Sequence, residues 1–176
     1  MMKILLAAGL AVALGSGTAI AEDGATPEEV IAKVREAAAQ LARDGEGGLA
    51  AIGAEGSPYI WKDTYVFVYD CAADVIVAHA VAASRGLAIS SLEDADGKAY
   101  GGALCEAANV PGGSWADYVW PKPVPAAEGQ LAYTDEAFRK VSYMLAVEGQ
   151  PYQVGAGIYN DALSLADLDA LVPAAD

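Results

Sequence analysis

Positive charge is scarce in this chain. Ten lysines and arginines stand against 24 aspartates and glutamates in 176 residues, a formal net charge of −14 at pH 7. So acidic a composition argues against nucleic acid and anionic membrane surfaces as partners, because both recruit proteins through basic patches. Histidine is scarcer still, with His79 alone. A Ser-His-Asp hydrolase must use that residue, and no serine stands in a G-x-S-x-G elbow. The only cysteines, Cys71 and Cys105, are too far apart for a redox CxxC pair, and a closed zinc site built on them and His79 needs carboxylates to complete it. Asp94-Ala95-Asp96-Gly97 has the look of a calcium loop, yet setting Gly97 at the invariant glycine puts Leu92 and Ala103 at the first and last ligand positions. Gly155-Ala156-Gly157 lacks the third glycine and the following helix of a dinucleotide fingerprint. No cofactor is called for, and carboxylates so abundant single out no acid/base pair. The chain reads as a non-enzyme.

Long hydrophobic runs are missing beyond the beginning. Lys3 precedes an apolar stretch from Ile4 to Leu14, and Ala19-Ile20-Ala21 precedes Glu22. This is the pattern of a secretory signal peptide over residues 1–21, with an apolar core too short for a comfortable membrane span. Loss of Lys3 on cleavage takes the net charge from −14 to −15. The expected mature protein, 22–176, is a single domain, periplasmic or secreted, with no membrane insertion of its own. In an oxidising compartment Cys71 and Cys105 can form a structural bridge, with free thiols as the alternative. Of the remaining cations, Lys62, Arg85, Lys98, Lys122, Arg139 and Lys140 fall between 62 and 140, so a locally positive site inside an acidic shell is open to this chain.

Periodicity then separates two regions. Thr26-Pro27-Glu28-Glu29 is a capping residue, a proline at the first helical position and acids in the first turn; Val30, Ile31, Val34, Ala38 and Leu41 follow at helical spacing, predicting a helix to about Ala42. A glycine-rich hinge with one short helix at most follows, to about Pro58. From Thr64 the period becomes two. Tyr65, Phe67 and Tyr69 share one face and Val66 and Val68 the other, and Val75 to His79 returns after a turn as a hairpin. A turn at Asp94–Gly97, a short helix over Ala99 to Ala108, and strands over Trp115–Trp120, Arg139–Val147 and Tyr152–Tyr159 complete the body. Residues 121–129, PKPVPAAEG, read as a loop serving as a lid or insertion, and Ser164 opens a short terminal helix. The class is α+β: a long N-terminal helix packed on a largely antiparallel sheet of about five strands.

The order of these pieces, with TYVFVYD, IVAHA, DADGK, WADYVWP, KVSY and VGAGIY, resembles the single Cache family, second single-Cache type, over about residues 26–160. Members of that family are PAS-like extracytoplasmic sensor domains. The resemblance implies a pocket on one face of the sheet for a small organic ligand, often a short carboxylate. It also implies a membrane partner such as a sensor kinase, chemoreceptor or transporter, since the usual flanking helices and signalling domain have no counterpart in this sequence. The candidate ligand-binding residues are His79, Trp115, Tyr118, Trp120, Lys140 and Tyr143. Aromatic rings supply rigid walls with polar tips, Lys140 a point charge for a carboxylate, and His79 a donor or acceptor. Each also has a purely structural alternative: His79 as a hydrogen-bonded strand end, the aromatics as core, Lys140 as a solvated strand residue. Tyr118 and Trp120 share a face of a regular strand that Trp115 does not. Lys140 and Tyr143 have opposite parity, and either can be the inward one. A module whose groove is filled by its own side chains and which docks on a receptor or kinase is the rival functional reading.

Overall fold

The computed structural model describes residues 24–125 and 131–174, so the expected leader, 1–21, lies outside the described residues. Helix α1, Pro27–Asp44, begins where the sequence places it. Thr26 Oγ1 accepts from the Glu29 amide and Glu29 Oε2 accepts from the Thr26 amide, a reciprocal capping box. Its stripe of Val30, Ile31, Val34, Ala37, Ala38 and Leu41 is buried. The glycine-rich segment holds a 3-10 turn, Gly45–Gly48, and helix α2, Leu49–Gly53.

Strands β1 (Ile60–Trp61) and β2 (Thr64–Tyr65) form a small ribbon. The main sheet contains β3 (Phe67–Asp70), β4 (Val75–Ala78), β5 (Ser114–Pro125), β6 (Leu131–Ala146) and β7 (Tyr152–Tyr159). Its spatial order is β4-β3-β7-β6-β5, and every neighbouring pair is antiparallel. Helix α3, Gly101–Ala108, starts two residues later than expected, because Ala99 bridges to Glu93 instead. Helix α4, Leu165–Asp169, is capped by Ser164 and Asp167 in the same reciprocal manner as α1.

One expectation is corrected. Residues 121–125 are not loop: β5 continues to Pro125, pairing Pro121 with Ala137 and Pro123 with Tyr133, with a bulge between. Prolines at alternate positions of an edge strand leave the other amides to bond inward, as Lys122 N–H does to Thr134 Oγ1, so the missing donors cost no ladder bond. Residues 126–129 of the expected loop lie outside the described residues.

The sheet has an apolar layer on each face. Helix α1 covers one, where its stripe meets Val66, Val68, Trp115, Val141, Tyr143, Val154, Ala156 and Ile158. On the other, Tyr65, Phe67, Tyr69, Tyr118 and Met144 pack under α3 and the segment before it, with Ile89, Leu92, Tyr100 and Leu104. The Cys71–Cys105 disulfide ties the β3–β4 turn to α3, fixing this second cover to the sheet. The Asp94 turn is a backbone fastener: its carboxylate accepts from the amides of Asp96, Lys98 and Val119, the last on β5.

Candidate functional site

The sheet face under α3 is not filled uniformly. On the central strand β7, Gly155 and Gly157 face this side and present no side chain. A Cβ on Gly157 would stand 2.3 Å from Ser142 Oγ and 2.9 Å from Lys140 Cε, and one on Gly155 would stand 2.7 Å from Phe67 Cζ. The two glycines therefore make a trough into which Lys140 and Phe67 lay their side chains. Strand alternation places Lys140, Ser142 and Met144 of β6 here, and Tyr118 and Trp120 of β5 beside them.

Lys140 is the central residue of this face. It is 1% exposed, and among the described residues no carboxylate lies within ion-pairing distance. Its ammonium instead meets aromatic faces, at 4.5 Å from the Tyr65 ring centroid, 5.5 Å from Tyr159 and 5.9 Å from Phe67, with Tyr65 Oη at 3.5 Å. Burial pulls its pKa down to about 7, only partly opposed by the negative charge of Asp63. Arg139, its chain neighbour on the opposite parity, is fully engaged: it pairs with Asp117 and donates to the carbonyls of Asn160 and Leu163.

His79 follows the end of β4 and is 6% exposed. The Val81 amide donates to its Nδ1 at 3.0 Å, which leaves the ring hydrogen on Nε2. Burial, reinforced by the Lys140 charge, lowers its pKa to about 3, so it is a neutral donor at physiological pH. Its ring meets Tyr65 edge-on at 4.7 Å. Tyr118 bonds Ser142 Oγ at 3.0 Å and stacks on Tyr100 at 4.3 Å; Trp120 closes the group against Tyr100 and Tyr133. Burial holds the Tyr65, Tyr100 and Tyr118 hydroxyls protonated well above the ordinary tyrosine range.

These groups surround a narrow cavity of about 20 Å³, room for one water molecule. Of the residues singled out in the sequence, His79, Tyr118, Trp120 and Lys140 line it together. Trp115 and Tyr143 do not: both lie on the α1 face, their rings 5.5 Å apart, with the Tyr143 hydroxyl donating to the Gly112 carbonyl. Parity thus resolves in favour of Lys140. The cavity also takes Tyr65, Phe67, Tyr69, Tyr100, Ser84 and Leu87, which sequence reasoning did not assign. The Tyr65-Phe67-Tyr69 alternation was a visible signal for three of them. Ser84 and Leu87, together with Trp120, also line an adjoining open groove of about 530 Å³, so these three side chains form the partition between cavity and groove.

Comparison with known proteins places this architecture. A Cache domain family profile matches residues 57–164, and the chain belongs to the Cache domain family. Among solved structures, a methyl-accepting chemotaxis protein from Vibrio parahaemolyticus superposes with a TM-score of 0.58 at 21% identity, over 76% of this chain and 88% of that one. A Cache chemosensory domain described for its carboxylic acid recognition superposes with a TM-score of 0.54 at 23% identity, over 76% and 92%. No curated protein matches the chain. Among the described residues, no helix is long and apolar enough to cross a membrane.

Proposed function

We propose that this protein is an extracytoplasmic sensor module that binds a short organic carboxylate in the cavity around Lys140 and passes the binding event to a membrane partner, a chemoreceptor, kinase or transporter. The observation that carries this reading is the buried ammonium with no acidic partner. Leaving a charge unpaired in the interior costs several kcal/mol, so a fold that keeps one there gains from a ligand that neutralises it. A carboxylate meeting Lys140 Nζ also finds the His79 Nε2–H and, with Ser142 as the donor in the Tyr118–Ser142 hydrogen bond, the Tyr118 hydroxyl as further donors, and the aromatic walls suit a short apolar tail. Rotation of Ser84, Leu87 and Trp120 joins the cavity to the groove beside it, giving the space a ligand of several heavy atoms needs. The sensor domain described for carboxylic acid recognition is consistent with this chemistry, and removal of residues 1–21 would deliver the domain to the compartment such sensors occupy.

The second reading, an interaction module that docks through its surface and binds no small molecule, draws on the narrowness of the cavity. Thermal unfolding against a panel of short carboxylates, amino acids and amines separates the two. A ligand at about 100 times its Kd adds roughly 2.7 kcal/mol, a rise on the order of 5–10 °C. Such a rise with carboxylates and not with amines supports the sensor; a flat response to the panel favours the interaction module.

A further inference from the structure

The same amine has a second chemistry that ion pairing does not use. We propose that Lys140 captures short 2-oxo acids covalently, forming an imine at its Nζ inside the aromatic cavity. This deepens the carboxylate reading and rests on it, since the carboxylate of the 2-oxo acid supplies the counter-charge.

Four features of the site bear on the reaction. Lys140 lines the cavity, and no carboxylate lies within ion-pairing distance of its Nζ among the described residues, so no acid pins it as an ammonium. Burial keeps a large share of it as the free amine near neutral pH, the form that attacks a carbonyl carbon. Tyr65 Oη, 3.5 Å from Nζ and 2.9 Å from Tyr133 Oη, is held protonated; with Tyr133 as the donor of that shared bond, the Tyr65 hydrogen serves the carbonyl oxygen as negative charge develops there. The surrounding rings of Tyr65, Phe67, Tyr118 and Trp120 keep out bulk water, which favours loss of water from the adduct and slows hydrolysis of the imine.

In the capture step the nitrogen lone pair forms the N–C bond to the 2-carbon, and the carbonyl π pair moves to oxygen. The oxygen leaves as water carrying the two amine hydrogens, and the C=N bond forms in its place. No oxidant or reductant takes part. A proton from solvent then gives the iminium, which keeps the positive charge over Tyr65 and Tyr159 that the ammonium had.

Borohydride trapping tests this. The protein is incubated with pyruvate at pH 7.5, reduced, and mapped by peptide mass spectrometry. The expected result is a carboxyethyl group on Lys140, formed roughly tenfold or more faster than on Lys33, Lys62, Lys98 or Lys122, none of which lines the cavity. K140R, which keeps the charge but cannot form the imine, loses this adduct; mapping of the unaltered protein stands without that variant. Stabilisation by pyruvate with no preferential label on Lys140 overturns the imine and leaves the ion-pairing reading intact. Preferential labelling by propionaldehyde as fast as by pyruvate, with no carboxylate stabilising the fold, overturns 2-oxo acid selectivity and the carboxylate reading together. Neither label nor stabilisation overturns both.

Discussion

Replacing Lys140 by methionine removes a buried cation and keeps most of its stem, so it isolates what the charge does to the fold. Lys140 has a pKa of about 7 when folded against an ordinary lysine value of 10.5. Between those values the unfolded chain holds a proton that the folded chain has released, so stability rises with pH across that window and is flat below it with respect to this group. The slope is about 0.7 kcal/mol per pH unit at pH 7, where the amine is half released, and approaches about 1.4 above it, so the gain between pH 7 and 9 is about 2 kcal/mol. Tyr65, Tyr69 and Tyr118 have raised pKa values and work in the opposite sense, but only above about pH 10, where their unfolded counterparts ionise. Urea unfolding at pH 7 and pH 9 with the disulfide intact reads the difference directly. The wild-type protein is expected to gain stability over that interval and K140M to show no such gain. At pH 7 K140M should equal or exceed the wild type, by up to about 4 kcal/mol, because a buried charge gives way to a well-packed apolar chain. A K140M that is several kcal/mol less stable at pH 7, or that keeps the full pH gain, refutes the view of Lys140 as an unpaired buried amine.

Other perturbations follow from the same geometry. Gly157→Ala places a methyl 2.7 Å from the Val141 carbonyl and 2.9 Å from Lys140 Cε, so it is expected to cost about 1–3 kcal/mol in denaturant unfolding and to weaken ligand binding by displacing Lys140; unchanged stability and binding would remove the trough from the account. Reducing the Cys71–Cys105 bridge, which spans 34 residues, is expected to cost about 4 kcal/mol and lower Tm on the order of 10 °C, read by calorimetry with and without reductant. Carboxylate affinity is expected to fall by up to about tenfold per pH unit above pH 7, with proton uptake on binding; titration calorimetry in buffers of different ionisation enthalpy measures both.

Much of the fold was legible because its signals are local. The Thr26 capping box and the Val30–Leu41 stripe fix α1 to within two residues of its end, and the alternation Tyr65-Val66-Phe67-Val68-Tyr69 assigns both faces of the sheet correctly. The misreading of residues 121–125 came from weighing proline as a loop former, without the knowledge that β5 is an edge strand where alternate amides go unused. At the site, parity put Lys140 and Tyr143 on opposite faces unless a bulge intervened, and the register of β6 against β7 is regular there. Choosing between them required knowing which face α1 covers, a tertiary fact. The trough was half visible: Gly155 and Gly157, two apart in the expected strand Tyr152–Tyr159, share one face, but what lies against them, Phe67 from β3 and Lys140 from β6, depends on β7 lying between those strands. Tyr100, Ser84 and Leu87 carry no periodic signal, since they come from the irregular cover before α3, Tyr100 as its N-cap.

The most direct test of the account is calorimetric titration of the protein and of K140M with the short carboxylate that most raises Tm. The account predicts saturable one-to-one binding by the wild type at pH 6.5, and loss of at least about 2 kcal/mol of binding free energy, some thirtyfold in Kd, in a K140M protein that unfolds as cooperatively as the wild type. Equal affinity in the two proteins would contradict it and move the binding site away from Lys140.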